Sequence, residues 1–183
     1  MTEGMGMETT IALPALPVLD TERLILRPRR LEDTEACLSM DREPEVTRHV
    51  HGPWHDPVAH RAFIEARTRG PYPAGLGYWS LFDRAAPIGF IGWVLLIPEN
   101  GDGPAVEIGW RLRRFAWGRG YATEAARAVL RHAFETVGLD EVVAEIAAAN
   151  DASLGVARKL GFVEASKSQH VGDTIRLCRR APF

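Results

Sequence analysis

Arg113-Arg114-Phe115-Ala116-Trp117-Gly118-Arg119-Gly120-Tyr121-Ala122-Thr123-Glu124-Ala125 is the stretch on which the reading of the chain turns. Gly118 and Gly120 stand between an extended run, 105–112, and the start of an amphipathic helix. Such a pair lets the backbone turn so that successive N–H groups point into one space. A helix start adds N–H groups without internal partners and a partial positive charge, so the turn suits a pyrophosphate. An ordinary glycine turn has the same spacing, and short glycine patterns alone do not separate the two. What is missing narrows the ligand: there is no GxxxxGK[ST] lysine, and Thr123 stands where a dinucleotide fold has its third glycine. Asp140 and Glu141 lie at the distance of a ribose-binding acid but precede the next strand instead of ending it.

Downstream, Ala122, Ala125, Ala126, Val129, Leu130, Ala133, Phe134 and Val137 keep helical spacing, and Gly138 is placed to end the helix. Glu141 to Ala147 reads as a strand, Asp151 to Leu160 as a short helix capped by Asn150 and ended by Gly161, and Phe162 onward as two strands around Gly172-Asp173. Upstream, Tyr78 to Phe82 and Ile88 to Ile97 form a hairpin around Asp83 to Pro87. Asp56-Pro57 opens a helix whose face is Ala59, Ala62, Phe63 and Ala66, stopped by Gly70-Pro71. Leu31 to Met40 is a modest helix introduced by Asp33 or Thr34, and Leu24 to Arg27 the first strand. The order β, α, α, β, β, β, α, β, α, β, β, with no internal repeat or linker, predicts one α/β domain over 19–183 behind a loose, proline-broken tail, 1–18.

Composition sets the outer limits. The 183 residues are 46% hydrophobic and 25% charged, enough for a core and too ordinary for a disordered, disulfide-stapled or collagen-like chain. A net charge of -2 argues against nucleic acid held by bulk electrostatics, and no apolar run approaches the roughly 20 residues that span a bilayer. Cys37 and Cys178 lie far apart and match no metal or redox motif, as expected of a reduced, cytoplasmic protein without a signal peptide.

Four segments together, Glu107-Ile-Gly-Trp-Arg-Leu, Trp117-Gly-Arg-Gly-Tyr-Ala-Thr-Glu-Ala, Asn150-Asp-Ala-Ser153 and Arg158-Lys-Leu-Gly-Phe162, resemble the GCN5-related N-acetyltransferases. With the opening Leu19-Asp-Thr-Glu-Arg-Leu-Ile-Leu-Arg-Pro they are similar to the RimJ and RimL branch, which acetylates ribosomal-protein N-termini. The resemblance runs from about Leu19 to the C-terminus. It implies a mixed, mostly antiparallel twisted sheet flanked by about four helices, with a V-shaped splay between the fourth and fifth strands that holds acetyl-CoA. Arg111, Leu112 and Arg113 would pair with the pantetheine arm, and Trp117, Gly118, Arg119, Gly120, Tyr121, Ala122 and Thr123 would cradle the pyrophosphate. The family's Gln or Arg at the head of this turn is Trp117 here, which backbone contacts tolerate.

The implied reaction is direct attack of a primary amine on the thioester in a ternary complex, without an acetyl-enzyme. An alkyl amine of pKa about 10 is almost wholly protonated at neutral pH and a peptide α-amine of about 7.7–8.0 much less so, so the first needs a base more. Glu107 occupies a position the family often uses for a base acting through water; an exposed strand carboxylate would look the same. The family's tyrosine acid, four residues before Gly161-Phe162, is Ala157 here; the resemblance to the RimL-like members implies instead that Ser153, in Asn150-x-x-Ser153, donates to the departing sulfur and that Asn150 bonds the pantetheine amide or a water. Asn150 and Ser153 equally suit plain helix capping. The acceptor of first choice is a protein N-terminal α-amine, with a small amine such as a polyamine, amino acid or aminoglycoside, or acyl-CoA binding without turnover, as alternatives.

His49, His51, His55 and His60 supply enough imidazoles for zinc but match no standard spacing, so no metal is expected. His51, Trp54, Trp79 and Trp93 are the candidates for the acceptor pocket. Arg176, Arg179 and Arg180 read as a solvated strand edge. No nucleic-acid or membrane partner is expected, and homodimerisation stays open.

Overall fold

The computed structural model describes residues 16–86, 89–99, 105–165 and 173–182. The strands are β1 (Leu19–Asp20), β2 (Leu24–Pro28), β3 (Gly77–Asp83), β4 (Phe90–Pro98), β5 (Val106–Leu112), β6 (Glu141–Ala147), β7 (Val163–Glu164) and β8 (Thr174–Arg180). They form one sheet in the order β1-β2-β3-β4-β5-β6-β8-β7. Every neighbouring pair is antiparallel except β5 and β6, which run parallel and meet at a single registered pair, Glu107 with Val143. Beyond it the two strands part, so the expected splay opens from Glu107 toward Leu112. Counting the two-residue β1, it falls between the fifth and sixth strands.

The helices are α1 (Thr34–Asp41), α2 (Pro44–Thr47), α3 (Pro57–Arg69), α4 (Tyr121–Arg131) and α5 (Asp151–Lys159). The sequence reading lacked α2, a single turn too short to show a period. Helices α4 and α5 cover one face of the sheet, α1 and α3 the other, and each face has its own apolar cluster. Along β4, Val94 and Leu96 enter the first cluster while Trp93, Leu95 and Ile97 enter the second. Burial on both faces is why this strand reads as a continuous hydrophobic run instead of alternating.

Two helices differ from their sequence patterns. The regular winding of α4 stops at Arg131, and His132–Val137 continues as a π-helical turn up to Gly138. There His132 is buried edge-on against Trp79, and its Nε2 meets the Gly75 carbonyl at 2.9 Å. In α3, Asp56 caps Val58 and Ala59 as expected, but the inward residues are His60 and Ile64, whereas Ala62 and Ala66 are exposed. The alanine spacing misplaced the face because a buried ion partner, Asp41, turns His60 inward. Leu16 packs on the first cluster and the Pro17 carbonyl accepts from Trp79 Nε1 at 2.8 Å, so the end of the expected tail is built into the fold. Residues 1–15, Pro87, Ile88 and Gly172 lie outside the described residues.

Candidate active site

The glycine turn has the conformation its sequence implies. Gly118 and Gly120 take φ of +71° and +80°, and Gly120 serves as the N-cap of α4 without any side-chain cap. The first-turn amides of α4 are therefore left to an external acceptor. A Cβ placed on Gly118 would meet nothing within 4 Å among the described residues. Arg23 and Arg119 flank it, their guanidinium carbons 4.7 and 5.1 Å from the centre of the Tyr121 ring. Trp117, largely exposed, folds back so that its Nε1 donates to the Leu112 carbonyl at 2.8 Å. The residue that departs from the family pattern thus ties the strand end to the turn.

A cavity of about 320 Å³ lies at the splay. Glu107, Gly109, Trp110 and Arg111 of β5 line it beside Glu145, Ile146 and Ala147 of β6 and Asn150 and Ser153 of α5. The two parting strands and the cap of α5 therefore meet in one space. Asn150 Oδ1 accepts from the Ser153 amide at 3.1 Å, so the capping role is real and leaves the Asn150 amide group and the Ser153 hydroxyl for other partners. Glu107 is partly buried where the strands part; burial, and then the neighbouring Glu145, push its carboxyl up to about 7, opposed by the Arg67 charge. A carboxyl poised there is suited to taking and releasing a proton at neutral pH.

The far wall was only partly legible. Arg29, His49, His51, Phe63, Arg67, Tyr78 and Trp93 line the same cavity, from the end of β2, the α2–α3 loop, α3, β3 and β4. Among the expected pocket residues, His51 and Trp93 are placed there. Trp54 lies behind the wall, 5.0 Å from the Arg111 guanidinium and edge-on to His60 and Phe63. Trp79 is fully buried in the cluster on the opposite face, because strand alternation sends it away from its neighbour Tyr78.

A buried ion cluster supports this wall. Asp41, inaccessible to solvent, accepts from Arg111 Nη1 at 2.8 Å and meets His60 Nε2 at 3.1 Å, and the Arg111 guanidinium also faces the Trp93 ring. Neither Asp41 nor Arg29 stood out in the sequence. Asp41 looks like an ordinary helix-end acid, and only its burial marks it. The four histidines disperse: His60 is buried with Asp41, His49 lies 3.2 Å from Arg48 Nε, and His55 is exposed. Arg176 is no free edge cation, since it pairs with Glu99 and Glu145 across the sheet, and Arg180 pairs with Glu141.

A family model described as an acetyltransferase (GNAT) domain matches residues 23–163. The chain is 34% identical over 164 residues to an FsC-acetyl coenzyme A-N(2)-transacetylase of Aspergillus fumigatus, covering 83% of this chain and 67% of that one. A solved acetyltransferase from Agrobacterium tumefaciens superposes with a TM-score of 0.79 at 27% identity, over 91% of this chain and 96% of that one. The fold is also that of a spermidine N-acetyltransferase from Vibrio cholerae solved with CoA and spermine, with a TM-score of 0.71 at 16% identity over 87% and 96% of the two chains. A sheet that parts at Glu107, an uncapped glycine turn beside the gap, and a family match across both place this chain among the GNAT acetyltransferases, as an acetyl-CoA-dependent N-acetyltransferase.

Proposed function

We propose that the chain acetylates a small primary amine by direct attack in a ternary complex, with Glu107 as the base. The observation that carries this reading is that Glu107, raised to about 7, faces the cavity shared by the splay and by Ser153. Acetyl-CoA supplies the activated acyl group. The turn from Gly118 to Thr123 holds its pyrophosphate on backbone amides, while the edge of β5 that β6 leaves beyond Glu107 receives the pantetheine arm near Arg111 to Arg113. Glu107 takes the amine proton, directly or through water, which frees the nitrogen lone pair for the thioester carbonyl. The Ser153 hydroxyl gives a proton to the departing thiolate and recovers, through water, the second proton that the nitrogen sheds once it has bonded to the carbonyl carbon.

The protein N-terminal α-amine, favoured by the resemblance to the RimL branch, needs the same chemistry. The small-molecule reading is supported by the cavity itself: about 320 Å³ is at the low end for small-ligand sites, and α3 walls its far side with Phe63, Ile64 and Arg67. The fungal relative's name points the same way, to transfer from acetyl coenzyme A onto a numbered nitrogen. Release of free CoA, followed with small amines and with peptides of varied N-terminus, tests the reading. Turnover with small amines is expected; turnover with peptides alone reverses the choice of acceptor, and no protection by acetyl-CoA against heat refutes the enzyme reading outright.

A further inference from the structure

Arg29 follows β2 and is 7% exposed, yet its Nε and Nη2 have no hydrogen-bond partner among the described residues. Its guanidinium lies 3.7 Å above the Tyr78 ring, and no carboxylate of the described residues pairs with it. The acids nearby are already committed. Asp33 accepts from Arg27 at 2.6 and 2.8 Å and from Ser80, and Asp41 serves Arg111 and His60. Cys37 offers no counter-charge either, because burial pushes its thiol up to about 12. A second guanidinium, that of Arg67, donates to Tyr78 Oη at 2.9 Å and also pairs with no acid among the described residues. Both arginines line the cavity that holds Glu107.

A buried cation without a counter-ion is costly, and a native fold keeps one where something outside the chain completes it. Planar guanidinium groups match carboxylates through paired N–H donors. We infer that the acceptor is an amino carboxylate whose carboxylate is bound at the Arg29–Arg67 wall while its amine faces Glu107. This rests on the small-molecule reading above and names the substrate class. It also disfavours polycationic acceptors at this wall, and a protein N-terminus, whose first carboxyl is spent in a peptide bond, offers Arg29 a neutral carbonyl there in place of a carboxylate.

The test is a matched panel: L-leucine, L-methionine, β-alanine and γ-aminobutyrate, each against its carboxamide, with aminoethylphosphonate as a second oxyanion. CoA release is measured with the wild type, Arg29→Met, Arg29→Lys and Arg67→Gln. At least one carboxylate is expected to exceed its carboxamide by about 100-fold in kcat/KM. Arg29→Met is expected to cut that preference at least tenfold, chiefly through KM, with Arg29→Lys intermediate and heat protection by acetyl-CoA retained. Removing an unpaired buried charge is also expected to raise the melting temperature of the free protein, the opposite of what a purely structural arginine predicts. Carboxamides accepted as readily as carboxylates, a preference for the phosphonate, or a preference untouched in Arg29→Met overturns the inference while leaving the acetyltransferase reading intact. Should no amine turn over, heat protection by the carboxylates in the presence of CoA, present in the wild type and lost in Arg29→Met, decides the inference separately.

Discussion

In the proposed reading, residues 113–123 form the donor half of the cleft from one continuous segment, whereas the acceptor half draws Arg29, Arg67, Tyr78, Trp93 and Glu107, which line one cavity, from five separate places in the chain. The first half offers backbone amides, fixed by two glycines of positive φ and a helix start. Its neighbours Trp117 and Arg119 can change character without losing those amides. The second works through side chains, and its properties depend on what lies beside each one: Glu145 and burial for Glu107, Tyr78 for Arg29, Asp41 for Arg111. Local geometry is robust and common to many ligands of one kind. Assembled chemistry is specific, because each side chain depends on what the fold sets beside it.

The sharpest way to break this contrast is Gly120→Asp. A side chain there must enter the left-handed region and brings a negative charge to the anion site, so heat protection by acetyl-CoA and turnover are expected to vanish. Gly138→Ala is the control: it has a similar φ of +78° and open space around it, so a loss of binding there would show that strain alone explains both.

Glu107→Gln addresses the other half. It is expected to lower kcat by about 100-fold or more with acetyl-CoA protection unchanged, and to remove a limb of the pH profile near 7. The same carboxyl makes a stability prediction. It keeps its proton in the folded state between about pH 4.5 and 7, while the unfolded chain has lost it, so folding stability falls as pH rises through that window. Glu107→Gln is expected to lack this fall and to melt a few degrees above the wild type at pH 8 but not at pH 4.5, since each kcal/mol moves a domain of this size by about 2–4 °C.

Smaller effects grade the contrast further. Ser153→Ala is expected to slow turnover about tenfold without weakening the cap, because the cap uses the Ser153 amide and not its hydroxyl. Trp117→Phe removes the bond to the Leu112 carbonyl and is expected to change the KM for acetyl-CoA by less than about threefold, given that the amides of the turn remain.

How much could be read before the structure follows the same division. The strand and helix order, apart from the two-residue β1 and the one-turn α2, the capped helices at Asp56 and Asn150 and the glycine turn all express short-range rules, and each is found where its residues stand. Glu107, Asn150 and Ser153 were singled out by motif, and they line one cavity. Arg29 does not stand out in the sequence because, two residues from Arg27 and next to Arg30, it looks like one of several surface arginines. Burial separates it: Arg27 finds Asp33, Arg30 meets Glu32, and Arg29 finds no acid among the described residues. Trp79 was misassigned for the converse reason, since an aromatic in a strand gives no hint of which face it takes until both faces are known to be covered.

By itself, then, the sequence determined an α/β chain with a left-handed glycine turn at one strand–helix junction, because those properties depend on residues a few positions apart. The tertiary structure decided the rest. Parallel β5 and β6 share one registered pair and then separate, which places Glu107 at the mouth of a cavity; antiparallel pairing of β2, β3 and β4 carries Arg29, Tyr78 and Trp93 to its wall. Desolvation and charge pairing act through space and not along the chain, so the proton affinity of Glu107 and the uncompensated charge of Arg29 exist only once these strands are in register.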